Sequence, residues 1–174
     1  KLSKICRISG VEIALAAPTG MAAKRMKAST GKEAKTIHKL IEYNPALPAL
    51  TLNEDNPLPY DFVIVDELSM VDIDTMAMLL RAVCSDTQLL LLGDVNQLPS
   101  IGPGEVLHDM INSGIFQVTA LKRSFRHGAR RTILDNANRV LEGSTELDFG
   151  HSDCVFYNVP DSSDDKNCNR LKKM

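Results

Sequence analysis

The sequence has 174 residues, is 44% hydrophobic and carries a formal net charge of −2, a composition typical of a soluble globular domain. No apolar run approaches the roughly 20 residues of a membrane-spanning helix, so we expect a cytoplasmic protein with no membrane partner. Its four scattered cysteines contain no Cys-x-x-Cys pair and are expected to be reduced thiols. The chain does not begin with Met, which suggests a piece of a longer polypeptide.

Charge is distributed unevenly along the chain. Lys and Arg dominate residues 1–39, residues 40–80 contain acids and no base, and residues 122–139 are basic again. Such blocks can give a nearly neutral protein a local positive face for nucleic acid, although an ordinary solvated surface is compatible with the same charges.

Apolar runs that read as strands alternate with segments that read as helices. Strands are predicted at 11–17, 62–65, 88–92, 117–121 and 154–159, and helices at 1–9, 21–28, 36–41, 73–83, 103–113 and 130–142. The helix at 73–83 is predicted to bury Ile73, Met76, Ala77, Leu80 and Val83, and the helix at 130–142 to bury Ile133, Leu134, Ala137, Val140 and Leu141. This alternation predicts an α/β fold with a parallel sheet and helices on both faces.

The predicted strand Phe62–Val65 ends directly in two carboxylates, Asp66 and Glu67. Nucleotide hydrolases use one carboxylate to hold Mg²⁺ and often a second to activate the attacking water. The same acids could instead cap the next helix, so the pair alone leaves both interpretations open.

Other polar stretches also follow predicted strands. Pro18, Thr19 and Gly20 follow the first strand, Asp94–Gln97 follows the strand at 88–92, and Lys122–Arg126 follows the strand at 117–121. Because ligands of parallel sheets bind at the carboxyl ends of the strands, these stretches are expected to share one edge with the acids. Small residues before a helix suit the phosphate of a nucleotide or of a polynucleotide. This convergence favours the catalytic interpretation of Asp66 and Glu67.

Five motifs in order carry a family resemblance: Ala17–Arg25, Thr36–His38, Val65–Val71, Gly93–Pro99 and Ser124–Arg126. Together they resemble superfamily 1 DNA helicases of the RecD type, which include the alpha subunit of exodeoxyribonuclease V and its stand-alone relatives. The resemblance covers roughly residues 5–145. It implies a RecA-like sheet of the P-loop NTPase fold, ATP and Mg²⁺ as cofactors, and movement along single-stranded DNA, typically 5′ to 3′, in recombination and repair.

The resemblance also implies roles for individual residues. Asp66 would hold Mg²⁺, Glu67 would be the candidate base, Gln97 would sense the γ-phosphate and Arg126 would act as an arginine finger. The implied DNA contacts are Pro18, Thr19 and Gly20 with Lys24 or Arg25 nearby, and Thr36 with His38. Each of three residues also has a non-catalytic interpretation. Gln97 could only fix a turn, Arg126 could be a surface or DNA-backbone arginine, and His38 could be a structural histidine.

One family motif is missing from these residues. A P-loop requires Gly-x-x-x-x-Gly-Lys followed by Ser or Thr, and Gly31-Lys32 is followed by Glu33 instead. We therefore expect residues 1–121 to be a first RecA-like domain without its first strand and P-loop, with a small hairpin insertion at 43–59. Residues 122–174 would begin the second RecA-like domain or the linker to it.

These expectations describe an excised, inactive piece of an ATP-dependent DNA helicase, with single-stranded DNA and other exodeoxyribonuclease V subunits as partners. Two alternatives remain: a non-catalytic nucleic-acid or protein binding module on a helicase-like scaffold, and the helicase domain of a conjugative relaxase.

Overall fold

The computed structural model describes residues 10–47, 51–121, 132–149 and 153–156. The chain divides into two compact units, Lys1–Val118 and Thr119–Met174. The first unit contains β1 (Ile13–Ala17), α1 (Gly20–Thr30), β2 (Lys35–Thr36), α2 (Ile37–Leu40), β3 (Phe62–Val65), a 3-10 turn (Leu68–Met70), α3 (Ile73–Ala82), β4 (Gln88–Leu91) and α4 (Val106–Asn112); the second contains α5 (Thr132–Leu141). The helix predicted at 1–9 lies outside the described residues. None of the described helices is both long and apolar enough to cross a membrane.

The four strands form one parallel sheet in the order β2-β1-β3-β4. The two inner strands are the most deeply buried, since Ala16, Val63 and Val65 have no exposed surface. Short apolar runs rich in Val and Ile are typical of strands covered on both faces. The predicted α/β fold with a parallel sheet is therefore confirmed.

Alternate residues of the inner strands pack into separate clusters. Leu15 and Ile64 meet Met26 of α1 in the smaller cluster. Their neighbours Ala14, Ala16, Val63 and Val65 belong to the main cluster with residues of α2, α3 and α4. Because successive side chains of a strand point to opposite faces, the helices cover both faces of the sheet, as predicted.

The predicted buried face of α3 is only partly correct: Met76 is buried and Val83 packs, partly buried, against the main cluster. Thr75, Met76, Leu79 and Ala82 are buried, whereas Ile73 and Leu80 are about half exposed. The first turn is fixed by the Ile73 N–H, which donates to the Pro103 carbonyl at 2.9 Å. Met76, Leu79 and Ala82 pack into the main cluster, so their side of the helix faces the core.

No strand forms over residues 117–121, all of which the structure describes, so that prediction is wrong. Gly114 adopts a left-handed conformation (φ 67°) after α4, as expected for a residue that ends a helix. The apolar residues that follow, including Ile115 and Val118, are more than half exposed. An apolar run without a neighbouring strand gains no ladder hydrogen bonds and no buried face.

The predicted hairpin region contains a small turn that is anchored at both sides. Asn53 and Asn56 form an isolated antiparallel bridge around the tip, while Leu52 and Leu58 are buried in the main cluster. The Leu58 N–H also donates to the Ala82 carbonyl at 2.7 Å. The segment is thus a turn fastened to the core, and residues 48–50 lie outside the described part.

In the second unit, the helix predicted near residues 130–142 is present, but its predicted buried face is wrong. Ile133, Val140 and Leu141 are more than half exposed, and Asn136 is buried instead. The Asn136 amide nitrogen donates to the Asp148 carbonyl at 2.6 Å, and its oxygen accepts the Asp148 N–H at 2.8 Å. This paired backbone contact compensates for burying the amide. Of the strand predicted at 154–159, residues 154–156 are described and form no strand beyond one bridge residue, and the rest lies outside the described part.

Candidate functional site

The carboxyl ends of the four strands lie along one edge of the sheet, which we call the rim. Thr36 of β2 is in register with Ala17, the last residue of β1, and Val65 of β3 is in register with both Ala16 and Leu91. Adjacent strands are about 4.8 Å apart, so the four strand ends span about 15 Å. The rim therefore brings the predicted motifs of the first unit together in a fixed order.

Asp66 and Glu67 occupy the centre of the rim, after β3. The Asp66 N–H donates to the Ala16 carbonyl at 2.9 Å, and the Glu67 N–H donates to Asp66 Oδ1 at 3.0 Å. Glu67 adopts a left-handed backbone (φ 57°, ψ 43°), which is strained for a residue with a side chain. The next residue stabilises this backbone conformation, because the Leu68 N–H donates to the Leu92 carbonyl at 2.8 Å.

The donor set at this tip fits Mg²⁺ that arrives with a nucleotide. One oxygen of Asp66 accepts the Glu67 N–H, which leaves the second for a metal or its water. Mg²⁺ is usually bound by one or two carboxylates together with substrate phosphates. Within the described ranges, no group of three or more His, Cys, Asp and Glu side chains could hold a metal by itself. The strand tip therefore suits a Mg²⁺ ion held jointly by Asp66 and the phosphates of a nucleotide better than a metal ion held by protein side chains alone.

A second turn, Gly93–Gln97, follows β4 beside the acids. The Asp94 carboxylate accepts the Asn96 N–H at 3.0 Å, and the Gln97 N–H donates to the Asp94 carbonyl at 3.2 Å. A Cβ atom at Gly93 would lie 3.3 Å from the Ser69 nitrogen and 2.9 Å from Leu107 Cδ2. Glycine therefore permits the close approach of the two turns, and Gln97 remains exposed.

The other end of the rim carries the predicted DNA-contacting segments. Pro18 and Thr19 follow β1, and the Thr19 hydroxyl accepts the Ala22 N–H at 3.2 Å as the N-cap of α1. The first turn of α1, which starts at Gly20, contains no acidic residue. The positive end of this helix dipole is therefore not neutralised by its own side chains. Thr36 likewise caps α2 by accepting the Lys39 N–H at 3.3 Å.

The structure gives the remaining predicted residues different surroundings. Lys24 and Arg25 are both exposed on α1. His38 is half-buried, with its ring 5.4 Å from the Tyr43 ring in an edge-to-face contact. Arg126 lies outside the described residues.

Asp72 caps α3 just beyond the acids. Its hydrogen bond with the Thr75 side chain, followed by the bond from the Thr75 N–H, lowers the pKa of Asp72 below 3.8. Burial raises the pKa of Asp72 by less than either of these bonds lowers it, and the charge of the nearby His38 lowers this pKa by a still smaller amount. Asp72 is thus stabilised as a carboxylate at neutral pH.

Asp72→Ala is expected to lower the free energy of unfolding by about 1 kcal/mol at pH 7, the usual value of an N-cap. The folded pKa lies below the unfolded value of 3.8, so this stabilisation exists above 3.8 and is lost as the pH falls through the folded pKa. Urea unfolding at pH 7 and about pH 3 measures the change, with Asp74→Ala as a control in the same helical turn. An equal destabilisation at both pH values would contradict this prediction.

Ser69 is a residue to which the sequence analysis assigned no role. Its side chain is 9% exposed, and its hydroxyl makes no hydrogen bond to any residue that the structure describes. The available signal was a polar residue within the otherwise apolar run Leu68–Val71, directly after the two acids.

Comparisons with known proteins identify relatives of this chain. The profile of a family described as AAA domain matches residues 2–103. The ATP-dependent RecD2 DNA helicase of Deinococcus radiodurans is 37% identical over 134 residues, covering 77% of this chain and 18% of that protein. The RecBCD enzyme subunit RecD of Mycolicibacterium smegmatis is 37% identical over 153 residues, covering 78% of this chain and 28% of that protein. The chain therefore spans less than a third of these relatives.

The structural comparison concerns the fold alone. Pif1 helicase from Bacteroides, solved in complex with ADP-AlF3 and ssDNA, superposes with a TM-score of 0.51 at 20% sequence identity. The superposition covers 78% of this chain and 37% of that one.

Proposed function

This chain belongs to the AAA domain family and to the RecD-like superfamily 1 helicases, and on that premise we propose that it supplies hydrolytic and DNA-contacting residues of an ATP-dependent DNA helicase. The observation that carries the proposal is the order of the strands at the rim. Thr36 and Pro18–Gly20 follow β2 and β1, whereas Asp66–Glu67 and Gly93–Gln97 follow β3 and β4. DNA-contacting and nucleotide-contacting groups would therefore lie side by side on one sheet.

On the nucleotide side, Asp66 would hold Mg²⁺ together with the phosphates of ATP. Mg²⁺, when bound, neutralises charge that develops on those phosphates. Glu67 would accept a proton from water as the water oxygen attacks the γ-phosphorus and the bond to ADP breaks. Gln97 would contact the γ-phosphate or this water, and Arg126 would stabilise the transition-state charge.

On the DNA side, the backbone of a single strand would pass the N-terminus of α1. The absence of an acid in the first helical turn and the exposure of Lys24 and Arg25 support a phosphate contact there. Thr36 and His38 would contribute from the neighbouring strand end, about 4.8 Å away in the sheet.

For the whole protein we propose 5′ to 3′ movement along single-stranded DNA in cytoplasmic recombination and repair. It would act alone or with other exodeoxyribonuclease V subunits. The 174 residues contain no P-loop, so this chain by itself is not expected to turn over ATP.

The DNA contact can be tested with Lys24→Ala/Arg25→Ala in the full-length helicase, the natural polypeptide that contains this chain. We expect weaker binding to a labelled single strand and a salt dependence of log Kd that is smaller by about 0.7 for each lost phosphate contact. Fluorescence anisotropy over a series of salt concentrations measures both quantities.

Lys27→Ala is the matched control, because Lys27 lies on the same helix but pairs with Glu33 at 2.6 Å. Its affinity and salt dependence should equal those of the wild type. If the double variant also binds DNA as the wild type does, the proposed contact at α1 is wrong.

A further inference from the structure

Ser69 is unusual among the buried polar side chains of the described residues. Thr75 is hydrogen-bonded to Asp72, and Asn136 is bonded to Asp148, whereas the Ser69 hydroxyl has no partner in the described part of the chain. A buried hydroxyl without a partner destabilises a fold, so each native example calls for a specific explanation, such as stored strain, a bound water or ion, or a catalytic role.

The surroundings of Ser69 limit where a partner can come from. The side chains of Leu68 and Val71, on either side of it in the turn, are 1% exposed and belong to the apolar core. A polar partner is therefore not supplied by that core. The Ser69 nitrogen instead lies 3.3 Å from the position that a Cβ atom would take at Gly93, where the second turn begins.

The two turns are already joined through their backbones. The Leu68 N–H donates to the Leu92 carbonyl at 2.8 Å, so the residues that precede Ser69 and Gly93 are fixed to each other. Beyond Gly93, the second turn is exposed as far as Gln97. A small shift of that exposed turn can therefore bring one of its polar groups to Ser69 without disturbing the sheet.

We propose that Ser69 is a positioning residue for ATP hydrolysis, whose hydroxyl bonds the Gly93–Gln97 turn when nucleotide is bound. This bond fixes Gln97 relative to Glu67, two residues before Ser69, and so aligns the groups on either side of the γ-phosphate. The inference rests on the proposed helicase function, and it assigns Ser69 an effect on turnover without a contribution to the stability of the nucleotide-free fold.

The test is Ser69→Ala in the full-length helicase at saturating single-stranded DNA. We expect kcat for ATP to fall about tenfold, the effect of losing one hydrogen bond, with KM unchanged. Tm without nucleotide should not fall, because the hydroxyl bonds nothing there. Thr75→Val is the matched control: it removes a buried hydroxyl that is bonded, so Tm should fall while kcat is retained.

A double-mutant cycle with Gln97→Ala tests whether Ser69 affects kcat through Gln97. In the Gln97→Ala background, Ser69→Ala should lower kcat by less than about twofold, because the group that Ser69 positions is gone. An equal loss in both backgrounds, or full kcat in Ser69→Ala, would overturn the positioning role while leaving the helicase proposal intact. A wild-type protein that turns over no ATP would overturn both.

Discussion

Glu67→Gln in the full-length helicase is expected to lower DNA-stimulated ATP turnover about 10³-fold, within the usual range for a general base. Glutamine keeps the size of the side chain, but its amide cannot accept the proton of the attacking water. ATP binding should persist, because Glu67 is not proposed to hold the phosphates. Steady-state turnover and the Kd of a fluorescent ATP analogue measure the two effects separately.

Glu54→Gln is a suitable control, because it makes the same change at an exposed acid in the turn bounded by Asn53 and Asn56. Its turnover should equal that of the wild type. If Glu67→Gln also retains turnover within about twofold, Glu67 is not the base.

Asp66→Asn and Asp66→Ala are both expected to lower turnover at least about 10²-fold, since each removes a carboxylate that would hold Mg²⁺. They should differ in stability. Asp66 Oδ1 accepts the Glu67 N–H at 3.0 Å, and asparagine retains an oxygen that can accept this bond, whereas alanine has none. Asp66→Ala should therefore be less stable than Asp66→Asn by about 1–2 kcal/mol.

Two measurements separate these effects: turnover as a function of Mg²⁺ concentration and urea unfolding without nucleotide. The asparagine variant should need more Mg²⁺ for half-maximal turnover while unfolding close to the wild type. An unchanged Mg²⁺ dependence would remove the metal role from Asp66. Equal stability of the two variants would show that the bond to the Glu67 N–H does not support the turn.

The strands β1, β3 and β4 could be predicted from sequence because their signal is local, whereas the two-residue strand β2 was not predicted and the strand predicted at 117–121 does not form. The apolar run Phe62–Val65 ends directly in two acids, and β3 ends with it, whereas the run predicted as a strand at 88–92 contains β4, which ends one residue earlier at Leu91. The faces of the helices were less predictable, since they depend on distant contacts. Met76, Leu79 and Ala82 occupy the core side of α3, which leaves Ile73 half exposed. Asn136 is buried because the backbone of Asp148 satisfies its amide.

The candidate site likewise has features that a local motif predicts and features that depend on contacts between distant segments. The acids Asp66 and Glu67 follow from a short motif, but the left-handed backbone of Glu67 and the burial of Ser69 depend on packing against the Leu92–Gly93 backbone. That contact joins segments far apart in sequence, so no local pattern predicts it. The separation of the proposed DNA-contacting motifs from the proposed nucleotide-contacting motifs along the rim also required the strand order, which chain order alone does not provide.

The most direct test is ATP turnover by the full-length protein with and without single-stranded DNA. We predict turnover that rises with DNA and is lost in Glu67→Gln. An ATP turnover rate that does not change when single-stranded DNA is added would contradict the proposed coupling between the DNA-contacting and nucleotide-contacting parts of the rim. DNA binding without any turnover would contradict the helicase function and favour a non-catalytic binding module.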